Sequence, residues 1–431
     1  MLTTTTCPLY YGKARISVEV PTANLIGIID PREAKIQEDE FTILRQALQN
    51  PIALPPLKEL AQPGQKVAIV VDDNTRPTPT WKMLPLILAE LETAGVQKED
   101  ITIVFANGSH RLQTREEQAR LVGEEVMANY RVTDHNPHDK STLTYLGQTS
   151  RGTPVHINHY VAEADLRILT GLIKPHCEAG YSGGGKAILP GVSSIETIIS
   201  DHNYEANANP NAVFGVIDGN PIRSDIEDAA HLVEPCFILN VILDKEKRIV
   251  DAVAGEMIKA HRVGTQKLDR LVRVAVPEVA DIVIAGCSYP TSVSLYQAAN
   301  AALACTRLVH PIVKKGGIII LAAPCPEGVG GGPLYQLMSE AATPQEVVDK
   351  IAQPGFFLHD QWAAQLWATS LIHSDVYLVA EGITPEQARN MKAALYTSVE
   401  AALKAALTAK GRQARILVLP DAPYTIPELT V

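Results

Sequence analysis

Short apolar runs separated by polar loops recur along the whole chain. Gln65–Val71 (QKVAIVV), Ile101–Ala106 (ITIVFA) and Leu166–Thr170 are rich in β-branched residues and bounded by turn formers. That is the pattern of strands buried on both faces of a parallel sheet. Helical patterns follow the first two, over Trp81–Ala94 and from Thr114 onward. Upstream, Leu9–Tyr11 and Ala14–Val20 alternate as one or two strands, and residues 40–50 pattern as a helix. Downstream come a helical run at Ser193–Ile199, a polar loop at Asn203–Asn211, a helix from Ser224, a hairpin of Phe237–Leu243 with Ile249–Gly255, and a helical stretch through His261. In the second half, strands at Asp281–Gly286, Gly317–Ala322, Val376–Ala380 and Ile416–Leu419 alternate with helices at residues 296–315, 344–353, 360–370 and 385–410. This alternation predicts two doubly wound α/β domains with the active site in the cleft between them. The expected division is residues 1–268 and 269–431, with the last ~15 residues packing back on the first domain.

Ligands of open α/β sheets sit at the carboxyl ends of strands, and those ends are chemically loaded here. The first strand runs into Asp72-Asp73-Asn74-Thr75-Arg76-Pro77. Asp73 can accept from a sugar hydroxyl or cap the next helix, and Arg76 offers a planar fork for a phosphate or carboxylate. The second ends in Asn107-Gly108-Ser109-His110, where the histidine is a candidate general base. The third delivers Lys174 and His176 and leads into Cys177-Glu178-Ala179-Gly180-Tyr181-Ser182-Gly183-Gly184-Gly185-Lys186. The glycine run lets backbone approach a ligand and turn its N–H groups inward. Lys186 ends that loop and His202 lies beyond the next helical run, so both flank one ligand. Other histidines, at 135, 138, 156 and 159, are expected on the surface or in turns.

Gly180–Lys186 fits the first seven positions of the phosphate-loop pattern, but Ala187 stands where that motif needs a hydroxyl for magnesium. A nucleotide-binding enzyme of that type is therefore the weaker alternative. No G-x-G-x-x-G follows a first strand, which disfavours a nicotinamide dehydrogenase. A third alternative is a protein that binds or senses a cofactor without catalysis; it could lose a base, yet His110 and His176 are both present. The net charge of −10 argues against a nucleic-acid or anionic-membrane partner, and no apolar run is long enough to span a membrane. Six scattered cysteines without a C-x-x-C pair suggest reduced thiols and, with no signal-peptide pattern at Met1–Pro8, a cytoplasmic location.

DDNTRPTP (72–79), GSHR (108–111), KPHCEAGYSGGGK (174–186), His202, YQA (296–298) and DQW (360–362) occur in one order along most of the chain. In this the sequence resembles the nickel-dependent lactate racemase family. The resemblance implies a 2-hydroxy-acid racemase or epimerase whose first domain binds a nickel pincer nucleotide. This cofactor is a pyridinium-3-thioamide-5-thiocarboxylate mononucleotide, joined covalently through its thioamide to a lysine, by motif Lys186. Two sulfurs and a ring carbon hold the nickel, and His202 would be the fourth ligand; such a soft set with one imidazole suits square-planar Ni(II). The resemblance also implies hydride transfer from C2 through a 2-keto acid, with His110 and His176 as bases for the two faces. Asp73, Arg76, Ser182, Gly184 and Gly185 would hold the cofactor. Arg76, Gln297, Asn300 and Trp362 would meet the small-molecule 2-hydroxy acid. Cofactor-biosynthesis proteins are implied as partners for loading. One position departs: the lactate-specific pattern has a lysine for the substrate carboxylate where this chain has Asn300, so the expected substrate is a different 2-hydroxy acid.

Overall fold

A computed structural model describes residues 3–34 and 38–430. Two parallel-rich sheets carry the fold. The first has six strands in the order Ile249–Glu256, Cys236–Leu243, Leu166–Leu172, Val67–Asp72, Ile101–Ala106, Arg131–Asp134. All neighbours run parallel except the hairpin of the first two. Val67–Val71 is buried at every position, as its unbroken apolar run requires. Helix Thr80–Thr93 covers this sheet with Met83, Leu84, Ile87, Leu88 and Leu91, spaced at the helical period.

The chain builds this sheet outward from Val67–Asp72 through Ile101–Ala106 to Arg131–Asp134. It then returns to the other side of Val67–Asp72 with Leu166–Leu172. Reversal of direction opens a crevice between the carboxyl ends of these two central strands. The sequence places Asp73, His110 and His176 around that crevice.

The second sheet centres on Ala280–Ser288, which pairs in parallel with Val313–Ala322 and with Ile416–Leu419. Ser374–Val379 and Ala394–Tyr396 extend one side. The expected division at 268/269 meets two differences here. It falls inside the helix Met257–Val272, and the first strands of the chain belong to the second sheet. Leu25–Ile28 pairs with Ile416–Leu419, and Thr4–Gly12 joins the end of Ala280–Ser288 while forming a hairpin with Ala14–Pro21. Cys7, Leu9, Val18 and Val20 pack there against Ile282 and Ile284. Alternation identifies such strands as half-buried but carries no information on which sheet receives them. At the other terminus, Ile426–Leu429 pairs with Arg273–Val276, and the Tyr424 ring lies beneath the Lys174 and Lys247 ammoniums of the first half.

Several expected elements change at their ends. The helix expected over 296–315 stops at Thr306, before Pro311, and the strand begins at Val313. The helix expected over 385–410 is two, Pro385–Asn390 and Val399–Lys410, separated by Lys392 at φ 58° and the strand Ala394–Tyr396. The polar loop after His202 contains a short helix, Tyr204–Ala208, capped by Asn203. Asn220 caps a helix that starts at Pro221, three residues ahead of the expected Ser224. No helix among the described residues is long and apolar enough to cross a membrane.

Candidate active site

A cavity of about 160 Å³ lies between the two halves at the switch point of the first sheet. The strand end after Val67–Asp72 is tied down by its own carboxylates. Asp72 accepts from Thr78 Oγ1 at 2.5 Å, and Asp73 Oδ1 accepts from the Thr75 amide at 3.1 Å and hydroxyl at 2.6 Å. Asp73 Oδ2 faces His110 Nδ1 at 2.6 Å. Burial alone would raise the Asp73 carboxyl, but His110 and Arg76 hold it below its ordinary value. Asp73 was expected to hold the cofactor; it lines the cavity with one carboxylate oxygen on Thr75 and the other on His110. With Nδ1–H donated to Asp73, the neutral imidazole leaves its Nε2 lone pair free, the arrangement of an oriented general base. Arg76 donates from Nη1 to Thr75 Oγ1 at 2.9 Å and lines the cavity with its guanidinium.

His176 is set up in the opposite sense. It sits on a two-residue ladder, Pro175–His176 against Gly180–Tyr181. Its Nδ1 accepts from the Glu178 and Ala179 amides, each at 3.3 Å, so the proton of the neutral ring is on Nε2. Burial, then the charges of Lys186 and Arg76, push its pKa well below the usual histidine value. The two histidines therefore differ: His110 presents a lone pair and His176 an N–H.

The glycine loop is held from behind. Ser182 Oγ donates to Leu172 O at 2.5 Å and accepts from the Lys174 amide at 3.0 Å, so this hydroxyl clasps backbone although Ser182 lines the cavity. The Gly184 amide, expected to face a ligand, donates to Asn240 Oδ1 at 2.7 Å. A Cβ at Gly184 would meet the His261 ring at 2.9 Å, and one at Gly185 the Ile226 carbonyl at 3.1 Å. These two glycines permit packing, while Gly183 and Lys186 reach the cavity wall. Only a single 3-10 turn, Gly184–Ala187, follows the loop. A phosphate loop needs a helix N-terminus there, so the nucleotide alternative loses its structural basis.

Lys186 is buried, and burial followed by the Arg223 charge pushes its amine down to about 8. A useful fraction is thus an unprotonated nucleophile near neutrality. His202 caps helix Ile195–Asp201; its Nδ1 donates to Ile198 O at 3.2 Å and lies 3.0 Å from the Asp201 carboxylate. That fixes the tautomer with the Nε2 lone pair free, as in a metal-ligating histidine with an outer carboxylate. Burial lowers the His202 pKa, but Asp201 and Glu178 outweigh it and the net direction is upward.

The second half closes the cavity with two helices. Leu295–Thr306, capped by Ser294, contributes Tyr296, Gln297 and Asn300, and Asn300 Nδ2 donates to Gln297 O at 2.9 Å. Gln361–His373 contributes Trp362, whose ring centroid lies 5.4 Å from that of His202. Every expected site residue except Gly184 and Gly185 lines this one cavity.

Four residues of the site were given no role in the sequence reading, although Asp360 and Glu178 lie inside its quoted motifs. Arg223 donates to the carbonyls of Ala179 and Tyr181, and His261 pairs with Ser182 O at 2.9 Å. Asp360 accepts from Tyr296 OH at 3.2 Å across to the other helix. Glu178 is buried in the cavity wall, and Oε1 has no hydrogen-bond partner among the described residues. For Arg223 and His261 no sequence signal exists, since each acts on a loop remote in the chain. Glu178 stands inside the central motif and was legible as an ionisable residue two places after His176. Ligand atoms of His176, Cys177 and Glu178 lie within 4.8 Å of one another. Burial pushes the Cys177 thiol up to about 12, so it is protonated and a poor metal ligand.

The lactate racemase N-terminal domain model matches residues 11–215, and the lactate racemase C-terminal domain model matches residues 276–425. The chain belongs to the lactate racemase family. Within that family it is 33% identical over 415 residues to the lactate racemase of Thermoanaerobacterium thermosaccharolyticum, covering 95% of this chain and 96% of that one. It is 33% identical over 419 residues to the lactate racemase of Lactiplantibacillus plantarum, covering 96% and 97%. The solved lactate racemase apoprotein from T. thermosaccharolyticum superposes with a TM-score of 0.90 at 34% identity, over 98% of this chain and all of that one. A Thermotoga maritima protein shares the fold, with a TM-score of 0.72 at 17% identity over 92% of this chain and all of that one. His110, His176, Lys186 and His202 fall in the N-terminal family match, and Gln297, Asn300 and Trp362 in the C-terminal one.

Proposed function

We propose that this protein inverts C2 of a 2-hydroxy acid through a 2-keto acid, using a nickel pincer nucleotide tethered to Lys186. The observation that carries this reading is one cavity in which a buried, pKa-lowered lysine and a tautomer-fixed histidine lie beside two histidines of opposite tautomer. The donor set fits such a group: Lys186 supplies an amine for the tether and His202 an imidazole lone pair for nickel. When bound, the group supplies a hydride acceptor for C2.

The chain's own residues handle the proton and the carboxylate. His110 Nε2 takes the hydroxyl proton, and Asp73 stabilises the imidazolium that results. His176 Nε2–H donates to the oxygen as it becomes a ketone. For the opposite enantiomer His176 must act as the base, which requires its proton to leave Nε2 first. The two amide bonds to its Nδ1, at 3.3 Å, are long enough to yield. The faces are therefore served by unequal bases. Arg76 is positioned for the substrate carboxylate. Asn300 brings no charge to it, which supports a substrate other than lactate.

Intact mass and nickel analysis of protein made beside the cofactor-building enzymes test the tether. We expect one adduct and about one nickel per chain, both absent in Lys186→Ala. Substrate deuterated at C2 tests the reaction: hydride transfer keeps the label at C2 after inversion. Washout of deuterium into water would overturn it in favour of α-proton abstraction.

A further inference from the structure

Glu178 occupies an odd position for a carboxylate. It is buried in the wall of the catalytic cavity, with Oε1 unpartnered among the described residues. Its backbone is pinned on both sides: the amide donates to His176 Nδ1, and Asn220 Nδ2 donates to its carbonyl at 2.7 Å. Its cationic neighbours do not neutralise it at hydrogen-bonding range. Arg307 is spent on the carbonyls of Cys177 and Asn207, each at 2.8 Å, and Lys186 acts on Glu178 through charge alone, without a hydrogen bond between them. A lysine that becomes a thioamide loses its charge, so tethering removes even that long-range partner.

A buried acceptor with no donor points to a donor on the ligand. The carboxylate lies within 4.8 Å of a His176 ring nitrogen. The two ring nitrogens are about 2 Å apart, so Nε2 lies within about 7 Å of the carboxylate, a gap that oxygens on adjacent carbons of a sugar acid, about 3 Å apart, span with one hydrogen bond at each end. A neutral hydroxyl suits the place better than an ammonium, because the Arg307 charge already acts on Glu178 and persists once Lys186 is tethered.

We infer that Glu178 accepts a hydrogen bond from the C3 hydroxyl of the substrate, and that the substrate class is the 2,3-dihydroxy acids. This rests on the proposed reaction for its C2 chemistry, but not for its binding. The loss of a charged residue at Asn300 and the presence of one at Glu178 work together: one wall surrenders a hold on the carboxylate, the other gains one on C3.

Glycerate and lactate differ only by the hydroxyl at issue. Calorimetric Kd values and inversion rates for both acids, on nickel-loaded protein with the adduct verified by mass, make the test. We expect glycerate to be preferred at least about 100-fold in kcat/KM, with tighter binding, because a site built around a substrate hydroxyl rejects the analogue lacking it. Glu178→Leu should abolish the preference and Glu178→Gln should keep part of it, each with an unchanged adduct mass. Equal Kd and kcat/KM for the two acids in the wild type, or a preference that survives Glu178→Leu, overturns the assignment. Glu178-dependent tighter binding of glycerate without inversion of either acid would uphold the recognition role and overturn the reaction instead.

Discussion

Asp73 and His110 show how one residue's job is decided by its neighbour. Asp73→Asn keeps the shape but reverses the hydrogen bond to Nδ1, so the lone pair no longer faces the cavity. We expect kcat to fall about 10²–10⁴-fold, with adduct mass and thermal midpoint unchanged. Stability has its own histidine. His135, expected in a surface turn, is fully buried, with Nε2 against Ser193 O at 2.9 Å. Burial pushes it down to about 4. Between that value and the ordinary 6.5 the unfolded chain binds the extra proton, so stability falls as pH drops through this window. From pH 6.5 to 5 the loss is about 1.6 kcal/mol for His135 alone. Thermal midpoints across this range check it, and His135→Leu should flatten the dependence. The reactive residue types and their order were legible in the sequence. Their protonation was not, because it depends on amides and carboxylates that only the fold brings within 3.5 Å.

At the level of elements, the strands were legible and the turns much less so. An unbroken β-branched run such as Ile101–Ala106 has one use in a parallel sheet, and it begins and ends where the pattern placed it. In the glycine loop, missing Cβ atoms read as room for a ligand, and Gly183 does line the cavity. Gly184 and Gly185 instead make room for His261 and for the helix Pro221–His231. Gly180 is the strictest of them: at φ 75° its Cβ would lie 2.1 Å from the Val216 carbonyl. Gly180→Ala should displace the Gly180–Tyr181 rung that supports His176. A destabilisation of about 1–3 kcal/mol is expected, read from denaturant midpoints, with slower tether formation by mass.

Across the whole molecule, the N-terminal strands serve the second sheet. The α/β class and the position of the site between halves follow from alternation and strand-end chemistry. The placement of residues 4–28 does not, because strand partners so remote in sequence leave no mark on local pattern. Deleting residues 1–28 removes Cys7, Leu9, Val18 and Val20 from the core they share with Ile282 and Ile284. At about 1.5–3 kcal/mol for each buried side chain, that loss rivals the net stability of a whole domain. The shortened chain is expected to aggregate rather than run as a monomer on size exclusion.

The same interleaving bears on synthesis. When the hairpin Thr4–Pro21 leaves the ribosome, its parallel neighbour Ala280–Ser288 has not yet been made. At about 5–20 residues per second the wait is on the order of tens of seconds. The first sheet can assemble meanwhile, but the hairpin stays an unsheltered edge. Neither half is then a self-sufficient translation product, and any fragment cut from the gene at the midpoint would leave one half carrying strands that belong to the other.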